Sequence, residues 1–275
     1  MPPPAASPAG TDSHDESIVR SERSLKESPV DMQCVRPDRR DDYQRTGADN
    51  AVRRGGANTY VAAQRTLQAM PTVIAPDVYD ITVKETADAR WRVFLFDGET
   101  PTLVDAGFDD TGDAVATALA ELEVTPERLV ITHGDPDHSG GLADLAARYD
   151  LVTWVPDGVA VDIDVDHRFS DGDRVGQFVA VHVPGHTASH HALVDEDRGI
   201  AVLGDAVFGS DARGIPPGYF VLPTAFYSED LAQADESLSR LLEYSFDIGL
   251  VYHGSSVTEA ASSRLEQFVD FAGKP

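Results

Sequence analysis

The pattern of apolar positions alone divides the chain near residue 70. Upstream, Met1 to Ala69 mixes Pro, Ser, Asp, Arg and Gln with few apolar residues and no sustained period. Such a segment cannot bury enough apolar surface to offset the entropy of ordering it. Residues 1–69 are therefore expected to be a disordered extension, with Met70 a candidate start of the native product, and residues 70–275 the folded domain. Downstream the pattern is orderly. Val78–Val83 alternates like a half-buried strand, Trp91–Phe96 reads as a second closed by an Asp97-Gly98 turn, and Pro101–Gly107 as a third ending in small residues. Val115, Leu119 and Leu122 predict a helix over 110–123, capped by Asp109 or Asp110. A strand over 128–132, a helix over 141–148, a strand over 151–155 and an acidic excursion through 157–173 follow.

The second half keeps the same rhythm. Residues 175–183 alternate as one strand, His190 and His191 open another, and Ile200–Leu203 reads as a buried strand. Glycines and prolines make 209–228 a long irregular loop, of a length that is usually functional or mobile. A helix over 228–244, capped by Ser228 with Asp230, turns Leu231, Leu238, Leu241 and Leu242 to the core. A strand over 248–252 and a helix from 257 to 271 close the chain, and no tandem repeat interrupts it. Strands interleaved with helices make this an α/β protein of two similar strand-rich layers.

Composition narrows the function. With 275 residues and 41% apolar side chains, the chain has room for a sizeable core. No apolar run reaches the ~18 residues of a membrane span, and the N-terminus lacks the order of a signal peptide, so a cytoplasmic address is expected. The sole cysteine, Cys34, excludes an intramolecular disulfide and a cysteine-based zinc site. Residues 1–69 carry ten basic and ten acidic side chains, so the whole net charge of −25 falls on 70–275, where Lys84 and Lys274 are the only lysines. That field repels nucleic acid and anionic membrane surfaces, leaving a small-molecule substrate as the expected partner. The dispersed acids resemble the composition of halophiles that accumulate salt, where molar salt screens such repulsion within ~3 Å.

The chemistry sits at the ends of the apolar runs. Thr132-His133-Gly134-Asp135-Pro136-Asp137-His138-Ser139-Gly140-Gly141 follows the 128–132 strand, and the turn between strand and helix holds His133, Asp135, Asp137 and His138. Three further strand ends run into Pro184-Gly185-His186-Thr187, Gly204-Asp205 and His253-Gly254. A single polar turn needs no metal, but four of them projected at one sheet edge supply seven imidazole and carboxylate groups. Two divalent ions ~3.5–4 Å apart need about that many. Thr187 and Ser189 are expected to hydrogen-bond to these ligands, and His190 and His191 to serve as support or core. His182 and His167 read as structural or solvated, and Asp105 as support or a plain turn residue. Tyr219, Phe220, Phe226 and Tyr227 either cover a substrate pocket or pack the 209–228 loop on the body.

The order strand–His-x-Asp-x-Asp-His–Gly-Gly, then Pro-Gly-His-Thr, then Gly-Asp, then a late His-Gly resembles the metallo-β-lactamase superfamily over residues 72–272, most nearly its glyoxalase-II-like members. The resemblance implies an αββα sandwich, two mixed β-sheets flanked by helices, with a dinuclear site at one edge. It implies that His133, Asp135 and His186 hold one ion, that Asp137, His138 and His253 hold the other, and that Asp205 bridges. The cofactors it implies are two divalent ions, zinc first, with iron or manganese as alternatives. A bridging hydroxide would attack an ester, thioester or lactone, with Asp137 as the catalytic proton carrier. Asp135 departs from the family, most of which has histidine there; the added carboxylate tilts preference toward iron or manganese. A glutathione thioester is not expected, since only 275 − 253 = 22 residues follow His253. Two other readings remain: a one-iron persulfide dioxygenase on His133, His186 and Asp205, and a metal-binding or sensory domain without catalysis.

Overall fold

The computed structural model describes residues 71–86 and 89–272, so the expectations for residues 1–69 lie outside it. Seven strands form the first sheet in chain order: β1 (Thr72–Ala75), β2 (Val78–Glu85), β3 (Arg90–Phe96), β4 (Thr102–Val104), β5 (Arg128–Val130), β6 (Val152–Pro156) and β7 (His167–Phe169). β1 to β4 run antiparallel and β4 to β7 parallel. The parallel part needs crossovers, which α1 (Gly112–Leu122), α2 (Pro136–Ser139) and α3 (Leu142–Tyr149) supply after β4 and β5. The chain then forms β8 (Arg174–Val175), β9 (Phe178–His182), β10 (His191–Asp195) and β11 (Ile200–Val202). A ribbon of β12 (Phe208–Gly209) and β13 (Phe220–Val221) follows, then α4 (Leu231–Ser237), β14 (Ile248–Leu250) and α5 (Ala261–Asp270). The second sheet has the order β14-β11-β10-β9-β8, with β14 parallel to β11 and the other pairs antiparallel.

Three apolar layers follow from which strand residues face where. Phe94, Phe96, Val104, Val130 and Phe169 of the first sheet meet Phe178, Ala180, Leu193, Val202 and Leu250 of the second. The alternate residues Leu95, Leu103 and Leu129 face outward onto Val115, Leu119 and Leu145 of α1 and α3. On the far side Val181, Val194 and Ala201 are covered by Leu238, Leu241, Leu265 and Phe268. Helix, sheet, sheet, helix is the αββα sandwich, and strands covered on both faces explain the continuous apolar runs in their sequences.

Local departures have local causes. The single strand expected over 175–183 is a hairpin, because Gly176 takes a φ of 61° and lets Val175 pair with Phe178 across two residues. Helix α1 begins at Gly112, and neither Asp109 nor Asp110 caps it; Thr111 occupies the cap without a side-chain bond. The helix expected over 228–244 is α4, capped by Asp230 accepting from the Gln233 amide at 3.0 Å, followed by a 3-10 turn over Leu238–Glu243. That tightening rotates Leu242 out to 39% exposure. The 209–228 loop contains the β12–β13 ribbon and buries Phe220 beneath it. Among the described residues no helix is long and apolar enough to cross a membrane.

The two sheets are tied by an edge-to-face pair, Phe96 on Phe178, with ring centroids 4.9 Å apart. Phe178→Ala should therefore cost ~3–5 kcal/mol in denaturant unfolding, while Leu242→Ala should change stability by no more than ~0.5 kcal/mol.

Candidate metal centre

Strand ends of both sheets point to one edge, and a buried carboxylate organises it. Asp105 follows β4 with a φ of 61° and no solvent exposure. Its Oδ1 accepts the Thr132 amide at 2.7 Å, and its Oδ2 accepts the Thr132 hydroxyl at 2.8 Å. The same Oδ2 lies 2.7 Å from His138 Nδ1. A carboxylate in this role only accepts, so His138 donates an Nδ1 proton there and turns Nε2 to the site, where its lone pair is available to a cation that displaces the proton. Thr132 has spent its one proton on Asp105, so at 3.0 Å it accepts from His133 Nδ1, and His133 likewise presents Nε2. One aspartate and one threonine thereby set two imidazoles in the metal-binding tautomer.

His133 and Asp135 lie in the loop after β5. Asp137 and His138 do not, contrary to the expected turn: Pro136 at the first helical position starts α2 early, and both sit in its single turn. Gly140 and Gly141 let that turn lie against the 106–109 backbone, where a Cβ would collide with the Ala106 and Pro136 carbonyls. His186 is held from behind by the approach to α4, whose Glu229 and Asp230 amides donate to the His186 and Gly185 carbonyls at 3.0 and 2.9 Å. Gly204, at φ 57°, turns β11 into Asp205, whose amide donates to His190 Nε2 at 2.9 Å. His253 follows β14, where Arg92 Nη1 donates to the Val251 and Tyr252 carbonyls at 3.0 and 2.9 Å. Phe208 packs on the His253 ring with centroids 4.6 Å apart.

All seven sequence-selected side chains converge. Ligand-type atoms of His133, Asp135 and His186 lie within 4.8 Å of one another, as do those of Asp137, His138 and His253, and those of His133, His138 and Asp205. Asp205 sits between the groups, 3.4 Å from His138 Nε2, 3.4 Å from His186 Nε2 and 3.3 Å from His253 Nε2. The decisive observation is what these atoms lack. His133 Nε2, His138 Nε2 and Asp205 Oδ1 are buried without a hydrogen-bond partner, and the last two face each other out of alignment. A buried unpaired polar atom costs ~1–3 kcal/mol, and three aimed at one point fit a cation that would use their lone pairs. The residues fit two clustered His/Asp metal sites, and so a dinuclear centre.

Without cations the centre holds itself together with protons. Burial pushes His253 down, but Asp205 and Asp137 outweigh it and raise the ring to about 9. His138 is likewise lowered by burial yet carried well above its usual value by Asp205, Asp137 and Asp105. Asp205, raised by burial, is drawn well below the carboxylate range by His253 and His138. His133 has no such rescue: burial and the neighbouring His138 hold it well below normal.

Other expectations fared differently. Thr187 and Ser189 make no hydrogen bond to the ligands; Thr187 Oγ1 has no partner, and Ser189 gives its carbonyl to His191. Support comes from Asp105, Thr132 and His190 instead. His182 lies on Ala188 O at 2.8 Å, and His167 stacks on Trp154 with centroids 4.1 Å apart. Tyr219, Phe226 and Tyr227 are exposed at 56%, 80% and 58%. Arg92 escaped sequence reasoning, although a charge inside an otherwise buried strand was a signal; Asp80 on the paired strand neutralises it at 2.8 Å.

An αββα sandwich with clustered His/Asp groups at one sheet edge defines a class of metal-dependent proteins. The Metallo-beta-lactamase superfamily profile matches residues 91–162. A hydroxyacylglutathione hydrolase of Chelativorans sp. is 32% identical over 188 residues, covering 66% of this chain and 68% of that protein. One of Serratia proteamaculans is 36% identical over 108 residues, 37% of this chain and 42% of its own length. A metallo-beta-lactamase structure from Pontibacter korlensis superposes with a TM-score of 0.58 at 18% identity, over 72% of this chain and 96% of that one. The chain belongs to the metallo-β-lactamase superfamily. It spans less than half the length of several curated relatives it matches, 42% and 46% in two of them.

Two outcomes follow. Asp105→Asn should weaken metal binding ~10–100-fold in chelator competition, because the amide no longer sets the His138 tautomer. In chelator-stripped protein, His253 has a folded value above its unfolded one, so its contribution is complete below pH ~6.5 and disappears as pH rises through about 9. Unfolding free energy of that form should fall across this window; a flat profile would contradict the ion-pair account.

Proposed function

We propose that the protein is a cytoplasmic hydrolase of a small-molecule ester, thioester or lactone, working with two divalent ions. The observation that carries this reading is the trio of buried, unpartnered ligand atoms inside a seven-residue His/Asp cluster. His133, Asp135 and His186 would hold one ion, and Asp137, His138 and His253 the other, with Asp205 between them. When bound, such ions would supply Lewis acidity toward a scissile carbonyl and would lower the pKa of a bound water. The relatives' name, hydroxyacylglutathione hydrolase, supports thioester cleavage within this class. The net charge of −25 supports a high-salt cytoplasm and no nucleic-acid or membrane partner. Residues 70–275 are taken as the catalytic domain, zinc as the first candidate metal, and Asp135 as the reason to test iron and manganese beside it.

Asp137 is the residue for the proton. It lies 3.5 Å from His253 Nε2 and 3.8 Å from His138 Nε2, with its side chain 19% exposed. Burial raises its carboxyl, but His138 and His253 outweigh that and hold it below the usual range, so it stays ionised and can take a proton from water. Passing that proton to the departing alkoxide or thiolate completes the cycle. Trp91 and Phe208 flank His253 and exclude water from that side.

A second reading is an oxygen-using iron enzyme. His133, His186 and Asp205 form a two-histidine, one-carboxylate set, with His186 Nε2 at 3.4 Å from Asp205. Metal content with an oxygen electrode separates the two: two equivalents with turnover of a thioester, ester or lactone supports hydrolysis, and one iron with oxygen uptake supports oxidation. Two ions bound with no turnover of any substrate would leave a binding-only domain. In the hydrolase, Asp137→Ala should lower kcat ~10²–10⁴-fold. Asp135→Ala should retain one of two metal equivalents by elemental analysis, and Asp135→His should retain both; two full equivalents in Asp135→Ala would remove Asp135 from the ligand set.

A further inference from the structure

Beside the metal centre runs a second groove, of about 500 Å³, that the proposed chemistry does not use. Its base is a histidine pair. The β9–β10 register sets His182 directly opposite His191, with ring centroids 4.9 Å apart and planes inclined 33°. Each ring has one nitrogen on a backbone carbonyl: His182 Nε2 on Ala188 O at 2.8 Å, and His191 Nδ1 on Ser189 O at 2.9 Å. A carbonyl can only accept, so each ring spends an N–H there, and in the neutral His191 ring the remaining nitrogen, Nε2, is a lone pair. His191 is 4% exposed, and its Nε2 has no hydrogen-bond partner. Burial lowers this ring, which keeps it a neutral acceptor. Thr187 Oγ1, also lining the groove, is a second atom without a partner.

The rim adds only negative charge. Asp157, Asp171 and Glu229 line it. Asp171 is paired with Arg240 and accepts the His182 amide, Asp157 accepts the Ser170 hydroxyl at 2.6 Å, and Glu229 accepts the Ala188 amide at 3.0 Å. Among the described residues Asp157 and Glu229 make no ion pair, so two carboxylates stand uncompensated over an acceptor base. Such a set rejects anions and asks for a group whose polar hydrogens are all donors. A divalent metal is the poorer match: every group of three ligand atoms within 4.8 Å found among the described residues lies in the metal centre, and none lies here.

We propose that this groove binds a primary ammonium or guanidinium group. It shares a wall with the metal centre, since Thr187 follows His186 and the Glu229 amide donates to the His186 carbonyl. The cation is therefore a substituent of the molecule being cleaved, an assignment that rests on the hydrolase reading; binding of the cation itself does not.

Calorimetric titration of the metal-loaded full chain with n-butylamine and n-butylguanidine, against n-butanol of matched shape, tests the binding. The cations should bind at least tenfold more tightly than the alcohol. His191→Phe, which keeps the ring packing and removes the acceptor, should abolish that preference. The double change Asp157→Asn with Glu229→Gln, at exposed rim positions, should reduce it at least tenfold without threatening the fold. Equal affinities for amine and alcohol, or an unchanged preference in both variants, overturns the proposal. The source of the cation is read with two thioesters whose acyl chains end in ammonium or hydroxyl. A tenfold higher kcat/KM for the ammonium form, lost in the variants, assigns the group to the substrate. Equal kcat/KM alongside tight butylamine binding overturns that assignment in favour of a free amine ligand. No turnover of either thioester, or of the esters and lactones carrying the same ammonium or hydroxyl end, removes the hydrolase reading and leaves the titration standing.

Discussion

The centre depends on one buried carboxylate. Asp105 receives the Thr132 amide and hydroxyl and the His138 ring, so a single side chain at the end of β4 joins the end of β5 to α2. Its left-handed backbone has a cost that most residues would not bear, and three hydrogen bonds to a fully buried group offset it. The result is pre-orientation: two imidazoles on different elements are locked with their lone pairs facing one volume. Tyr252 extends the bracing to the second sheet, donating its hydroxyl to the Val104 carbonyl at 3.1 Å, one residue before Asp105.

Around that anchor the molecule concentrates groups that repel or desolvate one another. Four histidines and three aspartates share a largely buried volume, and four of their polar atoms, His186 Nδ1 among them, are left without partners. A fold tolerates this where a cation restores the balance, so folding and metal loading are thermodynamically linked. The arrangement is graded, from fully buried His133 and His138 to Asp135 with its side chain 37% exposed. The buried end sets geometry, and the exposed end opens to solvent. Asp135, the family's unusual residue, stands at the exposed end, where a change of ligand is easiest to accommodate.

The acidity of the chain enters the site as well as the surface. Metal ligands, groove rim and outer helices all carry aspartate or glutamate, while the buried cation Arg92 is consumed by Asp80 and two carbonyls. This edge carries a negative field with the His182–His191 ring pair beneath it.

The architecture was legible because strands buried on both faces write long apolar runs, and polar residues at the ends of those runs must lie at a sheet edge. The convergence of the seven candidate ligands was legible for the same reason: His133, Asp135, Asp137, His138, His186, Asp205 and His253 each lie just beyond an apolar run. The hairpin at Gly176 was not, since a Gly-Gln pair is a weak turn signal whose φ is set by the register around it. Nor was support for the ligands: Thr187 and Ser189 are neighbours of His186 in sequence, yet the bracing comes from Asp105, Thr132 and His190. Local sequence thus determined which residues are projected at the edge, because periodicity and strand ends are local properties. Only tertiary structure decided which groups hold them, which tautomers they adopt, and that His182 and His191 meet across two strands, because those depend on distances between residues far apart in the chain.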